Sequence, residues 1–454
     1  MNNQLKEKYG LFTAIAMVVG IVIGSGVFFK AEKVLNATGG NLPVGIAAWA
    51  LGGLIMIVCA YTFSIMATRY SNVNGVVDYA EATVGKGYAY YLNWFLTFLY
   101  YPAMTSVLAW VSARYLGVIF GLDITGGSVM VIAGFLLILS FALNALSPVL
   151  AGKFQVSATV IKLIPLILMA VVGSIVGLSN GMIRENFTTV VEVVEGGNMK
   201  ALFTAMIATV FAYEGWIIAT SINAELKNSK RNLPIALVVG TLIIVIIYIC
   251  YYIGLAGGAS NAEMMENGEA GAKLAFTTVF GNVAGVGIFV LVVISCLGTL
   301  NGLMLAETRG MYSIAVRNQG PKPELFNQVD KVSNMPVNSS VMGLVICGFW
   351  LTYFYGANLA DPLWFGDFGF DSSEIPIVTI YGMYIPIFVM MAIKEKTLPI
   401  FKRIVAPLIA SLLCAFMMYA AVIAHGMDTV YYLAVFAVIM IAAVPFYKRS
   451  NKLQ

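Results

Sequence analysis

Two charged side chains lie inside long apolar stretches of this sequence, where an ionic group is expensive to place. Glu214 stands within Phe211-Ala-Tyr-Glu-Gly-Trp216, and Lys162 stands within Ser157-Ala-Thr-Val-Ile-Lys-Leu-Ile-Pro165. Ionisable residues at such positions usually face a cavity or a partner, so a functional role is the default expectation. The carboxylate can accept hydrogen bonds or a proton, and the ammonium can donate three hydrogen bonds. For each residue, a purely structural tie between helices is the alternative.

A group of glycines in the first apolar stretch could open a helix. Gly20, Gly24 and Gly26 lie within residues 20–29, and each glycine costs a helix interior about 1 kcal/mol relative to alanine. Opening the helix at Gly24 to Gly26 frees backbone N–H groups at the start of a half-helix, whose positive dipole end suits a carboxylate. Its unwound carbonyls would accept hydrogen bonds from Lys162. Close helix packing through Gly20 and Gly24 is the alternative.

The elements that must position these residues are membrane-spanning helices. The 454 residues are 60% hydrophobic and 11% charged, with a mean hydropathy of +0.88, far above the apolar content of soluble domains. Runs of about 20 apolar residues, enough to cross a bilayer, recur along the chain. They predict twelve spans, at about residues 11–29, 43–67, 89–113, 128–147, 154–178, 200–222, 234–256, 280–304, 340–357, 375–393, 404–423 and 429–447.

The basic residues predict the orientation of these spans. With both termini in the cytoplasm, nineteen of the 26 Lys and Arg residues fall in inner segments and six in outer segments, and the remaining one is Lys162. This bias follows the rule that cytoplasmic loops are rich in Lys and Arg. The glycines interrupt the first span, and Glu214 with Gly215 interrupts the sixth. Two broken spans five spans apart predict inverted repeats at residues 11–178 and 200–393, with the substrate site between the repeats. The helices at 404–447 would then be accessory.

Other classes of function find little support in the sequence. The five cysteines all lie inside apolar runs without metal-type or redox-type spacing, so no metal site and no cofactor is expected. No glycine-rich nucleotide loop and no nucleic-acid footprint is visible. An intramembrane enzyme would need convergent catalytic groups, and only Glu214 and Lys162 are available. A membrane sensor remains an alternative.

Several segments together resemble one transporter family. The matching pieces, in chain order, are Gly20–Phe29, Tyr101-Pro102, Lys162, Phe211–Trp216, and Gly298-Thr-Leu-Asn-Gly302 followed by Arg309, Tyr312 and Gly320. They are similar to the amino acid–polyamine–organocation superfamily, and most to its L-amino acid transporter branch with bacterial exchangers for serine, threonine, alanine and cysteine. The resemblance covers nearly the whole chain and implies an all-α, leucine-transporter-type fold.

The resemblance also implies a substrate site at the unwound parts of helices one and six. Ser25 and Gly26 would bind the substrate carboxylate, and carbonyls near Val22, Phe211 and Glu214 would accept from its ammonium. The expected substrate-binding set is Val22, Gly24, Ser25, Gly26, Phe211, Ala212, Tyr213, Glu214 and Trp216, with Met104, Thr105 and Cys296 as further pocket candidates. The lysine of helix five, Lys162 here, is associated in the family with sodium-independent transport.

The expected function is therefore sodium-independent exchange of small neutral L-amino acids by alternating access. A proton-coupled symporter is the alternative, because Glu214 could titrate if buried. The chain departs from the family at Ser229, where a proline is common. Animal members of the family that it resembles attach an accessory glycoprotein through a cysteine in the outer loop between helices three and four. The corresponding loop here, Tyr115–Ser128, holds no cysteine, so no disulfide-linked accessory glycoprotein is expected. We expect a monomer or weak homo-oligomer in a bacterial inner membrane, with the lipid bilayer and the amino acid as its partners.

Overall fold

The computed structural model describes residues 10–70, 75–217 and 226–452. These residues form helices joined by loops. In chain order the helices are α1 Leu11–Val22, α2 Gly26–Ala37, α3 Leu42–Ala67, α4 Val76–Thr83, α5 Lys86–Phe120, α6 Gly127–Leu146, α7 Pro148–Ser179, α8 Met182–Thr188, α9 Gly197–Tyr213, α10 Ser229–Leu255, α11 Asn261–Asn267, α12 Glu269–Phe280, α13 Asn282–Ala315, α14 Pro323–Phe326, α15 Val337–Asn358, α16 Ile375–Lys394, α17 Phe401–His425 and α18 Met427–Lys452.

Ten of these helices are long and apolar enough to cross a membrane within the described part of the chain. They coincide with ten of the twelve predicted spans to within a few residues, except that α13 continues to Ala315, eleven residues past the predicted end of its span. The first predicted span is a bent pair, α1 and α2, with an angle of 53° between them. The sixth predicted span begins as α9 and leaves the helix after Tyr213, and its last part, residues 218–222, lies outside the described residues. The chain is thus an all-α polytopic membrane protein.

The helices form two compact units. Unit 1 comprises residues 1–89, 163–288 and 377–424, and unit 2 comprises residues 90–162, 289–376 and 425–454. The bent pair and the end of α9 belong to unit 1, whereas Lys162 belongs to unit 2. The candidate residues are therefore divided between the two units.

Aromatic rings and glycines hold the centre of unit 1 together. Trp49 of α3 packs edge-on against Tyr213 and Tyr248, with ring centroids 5.7 and 5.6 Å apart. A Cβ atom on Gly52 would come within 2.2 Å of the Thr209 hydroxyl. The glycine lets α3 and α9 approach closely, as small residues do between membrane helices.

Polar side chains join three helices of unit 2. Asn301 of α13 accepts a hydrogen bond from the Asn144 amide of α6 at 2.9 Å and donates to the Gln155 amide oxygen of α7 at 3.0 Å. Both asparagines are buried. A buried amide is costly unless it is hydrogen-bonded, so this pairing fixes the register of α13 against its neighbours.

Candidate substrate site

The first span breaks between Val22 and Gly26. Ile23, which follows the last residue of α1, has φ −63° and ψ 111°, an extended conformation that ends the helix. The Ser25 carbonyl accepts from the Phe28 and Phe29 amides at 3.1 Å and starts α2. No side-chain hydrogen bond caps the start of α2. The break thus lies at the predicted residues 24–26, whereas Gly20 remains helical.

Gly26 brings α2 into backbone contact with α9. A Cβ atom on Gly26 would lie 2.5 Å from the Cα atom of Ala212, closer than real side chains approach. Both residues are buried. This close approach therefore requires a glycine at position 26.

The sixth span leaves its helix at the predicted place. Glu214 follows α9 in an extended conformation, with ψ 157°, and Gly215 has φ +105°, a region that favours glycine. The last four carbonyls of a helix have no intrahelical donor. At this bend the Phe211 carbonyl accepts from the Glu214 amide at 3.4 Å, and the Ala212 carbonyl accepts from the Tyr248 hydroxyl at 3.1 Å. Glu214 itself is half-buried.

Tyr248 of α10 connects the two broken helices, a role that no sequence pattern indicates. Its hydroxyl donates to the Ala212 carbonyl at 3.1 Å and lies 3.4 Å from the Val22 carbonyl. The ring stacks on that of Tyr213 with centroids 5.2 Å apart. Tyr248 therefore supports the ends of α1 and α9 together. One tyrosine in an apolar span rich in tyrosine carries no signal that distinguishes it.

The two aromatic candidates of α9 and its extension are fixed by hydrogen bonds. The Tyr213 hydroxyl donates to the Trp49 carbonyl at 2.9 Å, and the Trp216 indole donates to the Tyr381 hydroxyl at 3.0 Å. Both side chains are buried within unit 1. The hydrogen bonds hold both aromatic side chains in place at the end of α9. Tyr381 is a second residue that the sequence analysis did not identify.

Lys30 is one of the six Lys and Arg residues that the sequence assigns to outer segments, but the structure places it within a helix. It lies in α2, which extends the first span to Ala37, and its side chain is 0% exposed. Its ammonium lies 4.9 and 5.0 Å from the ring centroids of Phe29 and Phe211. A cation at this distance is attracted to the aromatic face. Unit 1 thus carries a buried positive charge one turn beyond Gly26.

The remaining candidates lie in unit 2. Lys162 is 4% exposed and interrupts α7 with an irregular turn, although its amide still bonds the Ala158 carbonyl at 3.0 Å. Met104 and Thr105 are buried in α5, and Cys296 is buried in α13. The Thr105 hydroxyl donates to the Tyr101 carbonyl at 2.7 Å. The structure thus groups the helix-break residues in unit 1 and these four residues in unit 2.

No group of three or more His, Cys, Asp or Glu side chains within the described ranges could hold a metal ion. The five cysteines form no disulfide, although the Cys59 and Cys414 sulfur atoms approach to 3.7 Å in unit 1.

Comparison with known proteins places residues 9–444 in a family model described as amino acid permease. The chain is 30% identical to the serine/threonine exchanger of Bacillus subtilis over 396 residues, which cover 87% of this chain and 85% of that protein. It is 24% identical to the b(0,+)-type amino acid transporter 1 of Mus musculus over 93% of this chain and 84% of that protein. It is also 24% identical to the human cystine/glutamate transporter, over 75% of this chain and 66% of that protein.

Proposed function

This chain belongs to the amino acid permease family, and from that premise we propose that it exchanges small neutral L-amino acids across a membrane without sodium. Its family and relatives are transporters of amino acids and not enzymes. Amino acid transport by a multi-pass membrane protein is therefore confirmed, as is the predicted superfamily. The names of the relatives differ in substrate, from serine and threonine to cystine and glutamate. The choice of cargo and the exchange mode accordingly form the proposal.

The observation that carries the proposal is the pair of helix breaks in unit 1. The uncapped start of α2 offers amide donors and a positive dipole end to a carboxylate, and the end of α9 offers carbonyl acceptors to an ammonium. Gly26 and Ala212 are in backbone contact, so these two groups lie near each other. A donor set beside an acceptor set matches the carboxylate and ammonium of any α-amino acid. We assign this role to Val22, Gly24, Ser25, Gly26, Phe211, Ala212 and Glu214.

The preference for a small side chain is supported by the walls around the end of α9. Tyr213 and Trp216 are both held by hydrogen bonds to unit 1, and moving either aside would leave a buried donor without its acceptor. A large substrate side chain therefore has little room to displace them. The 30% identical serine/threonine exchanger supports the same class of cargo, and Met104, Thr105 and Cys296 are assigned as further pocket residues.

Lys162 supplies the fixed positive charge that a coupling sodium ion would otherwise provide. It is nearly fully buried in the middle of a membrane-spanning helix, where ionisable residues are usually functional. The proposal extends to twelve spans, with repeats at 11–178 and 200–393 and helices at 404–447. It further places both termini in the cytoplasm of a bacterial cell, with a monomer or weak homo-oligomer acting without a disulfide-linked partner.

Exchange can be tested with purified protein in lipid vesicles. Labelled serine or alanine should enter vesicles that contain unlabelled serine, and its uptake should be unchanged when choline replaces external sodium. Empty vesicles should take up little label, because an exchanger needs a counter-substrate. Strong uptake into empty vesicles, or a requirement for sodium, would contradict the proposal. Acidification of the lumen when substrate is added to empty vesicles would instead identify proton symport.

The role of Lys162 is tested by replacing it with alanine. The Lys162→Ala variant should lose at least about tenfold in exchange rate, the loss expected when a buried charge worth about 1.4 kcal/mol or more to the cycle is removed. Its yield of folded protein should fall much less. The exposed Lys153, nine residues earlier in the same helix, gives the matched control Lys153→Ala. An unchanged rate in Lys162→Ala would reduce Lys162 to a structural tie.

A further inference from the structure

Glu307 is a buried carboxyl group that the proposed transport site does not use. It lies in α13, three residues beyond the predicted end of the eighth span, and is only 1% exposed. Its two carboxyl oxygens are buried and make no hydrogen bond to any residue in the described part of the chain. Native proteins rarely leave a buried polar group in this state without a reason.

Glu307 lies against the backbone of α15 and faces a cysteine of that helix. A Cβ atom on Gly343 of α15 would lie 3.0 Å from the Glu307 Cγ atom and 3.1 Å from its Oε1 atom. The carboxyl group therefore lies directly against the bare backbone of α15. Cys347, one turn further along α15 and fully buried, is the titratable group of that helix that faces it.

The other polar side chains on α13, α15 and α5 around Glu307 either bond to other groups or are exposed. The Ser340 hydroxyl donates to the Pro336 carbonyl at 3.0 Å, and the Ser339 hydroxyl accepts from the Tyr312 amide at 3.0 Å. Helix α5, which packs on α15, contributes Thr105, which hydrogen-bonds Cys347. Arg309 on the same helix as Glu307 is exposed. No charged side chain of the described residues pairs with Glu307.

An ionised carboxylate in this environment would be very unfavourable. Moving a lone carboxylate from water into a medium of low dielectric costs so much that the group takes up a proton instead. The neutral carboxyl group is far cheaper to bury, although one donor and the remaining acceptor sites stay unused. The packing of α13 against Gly343 is thus compatible with the protonated form of Glu307.

The position of Glu307 along α13 gives the proton a route to water. At 1.5 Å per residue, Glu307 lies about 37 Å from the first residue of the helix, whereas the hydrocarbon layer is about 30 Å thick. It is therefore near one end of the span, which the distribution of Lys and Arg assigns to the cytoplasmic side. A small separation of α13 from α15 would hydrate the carboxyl group from that side.

We propose that Glu307 is a proton-binding site, protonated while α13 packs on Gly343, that releases its proton to cytoplasmic water when this part of unit 2 opens. Alkaline pH then favours the ionised, opened form and depletes the packed form. If transport must pass through the packed form, the exchange rate falls as pH rises. This inference goes beyond the proposed exchange function and holds for whichever amino acid is carried.

The protonation state can be read directly by infrared spectroscopy of the purified, reconstituted protein. The wild type should show the carbonyl stretch of a protonated carboxyl group at neutral pH, and the Glu307→Gln variant should lack that band. Glu324, an exposed carboxylate of unit 2, gives the control Glu324→Gln, which should retain it. This readout does not require transport, so it judges the proton site even if exchange itself fails. Identical carboxyl bands in the wild type and Glu307→Gln would overturn the proposal.

The pH profile of exchange tests the coupling to transport. With equal pH on both sides of the vesicle, the wild-type rate should fall as the pH is raised from neutral to alkaline, because the ionised carboxylate is unfavourable in the packed form. Glu307→Gln, which stays neutral, should keep its rate at alkaline pH, and Glu307→Asp should restore the fall. A wild-type profile without a fall, or one that Glu307→Gln and Glu324→Gln both reproduce, would show that Glu307 is a permanently neutral structural group.

Discussion

At the scale of single residues, one tyrosine side chain bonds the backbone of both broken helices. The Tyr248 hydroxyl is shared between the carbonyls of Val22 and Ala212, which come from two different broken helices. A helix break exposes carbonyls that need donors, and a tyrosine on a neighbouring helix provides one without closing the break. We infer that Tyr248 is a positioning residue that keeps both ends ready for substrate.

Replacing Tyr248 with phenylalanine tests this role. The ring would stay stacked on Tyr213, but the carbonyls of Val22 and Ala212 would lose their donor, at a cost of about 0.5–1.5 kcal/mol per hydrogen bond. We expect the KM for exchange to rise about 2- to 10-fold, with a smaller change in the maximal rate, measured in vesicles over a range of external serine concentrations.

The matched control is Tyr252→Phe, one turn further along α10. Its ring also packs on Trp49, but its hydroxyl bonds neither of the two carbonyls. The KM of this variant should remain close to that of the wild type. Equal effects in both variants would indicate a general loss of packing in α10 rather than a role in positioning the breaks.

At the scale of elements, α2 and α9 are held at a distance that only glycine permits. The 2.5 Å separation between a Cβ atom on Gly26 and the Ala212 Cα atom involves backbone, which cannot turn aside as a flexible side chain can. Any larger residue must move one helix. In the proposed site α2 supplies amide donors and α9 supplies carbonyl acceptors, so moving either helix would change the geometry of both sets at once.

The Gly26→Ala variant should therefore lose most of its transport. Overpacking of this kind costs about 1–3 kcal/mol, and we expect the exchange rate to fall at least about tenfold, with a lower melting temperature in detergent. Gly152→Ala is the control, because Gly152 lies on the exposed face of α7 with no atom within 4 Å of the added carbon. That change should be neutral or slightly stabilising. Full activity in Gly26→Ala would show that α2 and α9 separate during normal transport.

At the scale of the whole molecule, orientation in the membrane depends on the distribution of basic residues along the chain. Loops rich in Lys and Arg stay in the cytoplasm because they are translocated poorly. This pattern assigns the segment between α8 and α9 to the outside and the segment between α14 and α15 to the inside. Each segment contains a valine that is 95% exposed, Val193 and Val332.

These two valines form a matched pair for a labelling experiment. Val193→Cys should react with a membrane-impermeant maleimide in intact cells, whereas Val332→Cys should react only after the membrane is permeabilised. The background should be low, because four of the five natural cysteines are buried and Cys250 is half-buried. Labelling of Val332→Cys in intact cells would reverse the proposed orientation. Labelling of both residues in intact cells would contradict the proposed number of spans between them.

The sequence by itself determined the features that depend on nearby residues. Composition and apolar run length located ten spans to within a few residues, because the bilayer requires about 20 apolar residues wherever a helix crosses it. Glycine spacing located the break in the first span, and Glu214 with Gly215 located the end of α9. These are local effects, since backbone conformation depends chiefly on the residue and its neighbours.

Only the tertiary structure decided the features that depend on residues far apart in the chain. The role of Tyr248 comes from carbonyls 226 and 36 positions away, and the need for Gly26 comes from Ala212. Lys30 and Glu307 each lie just beyond the end of a predicted span. The structure extends both helices and buries both side chains, since burial is set by what packs against a residue and not by its own polarity.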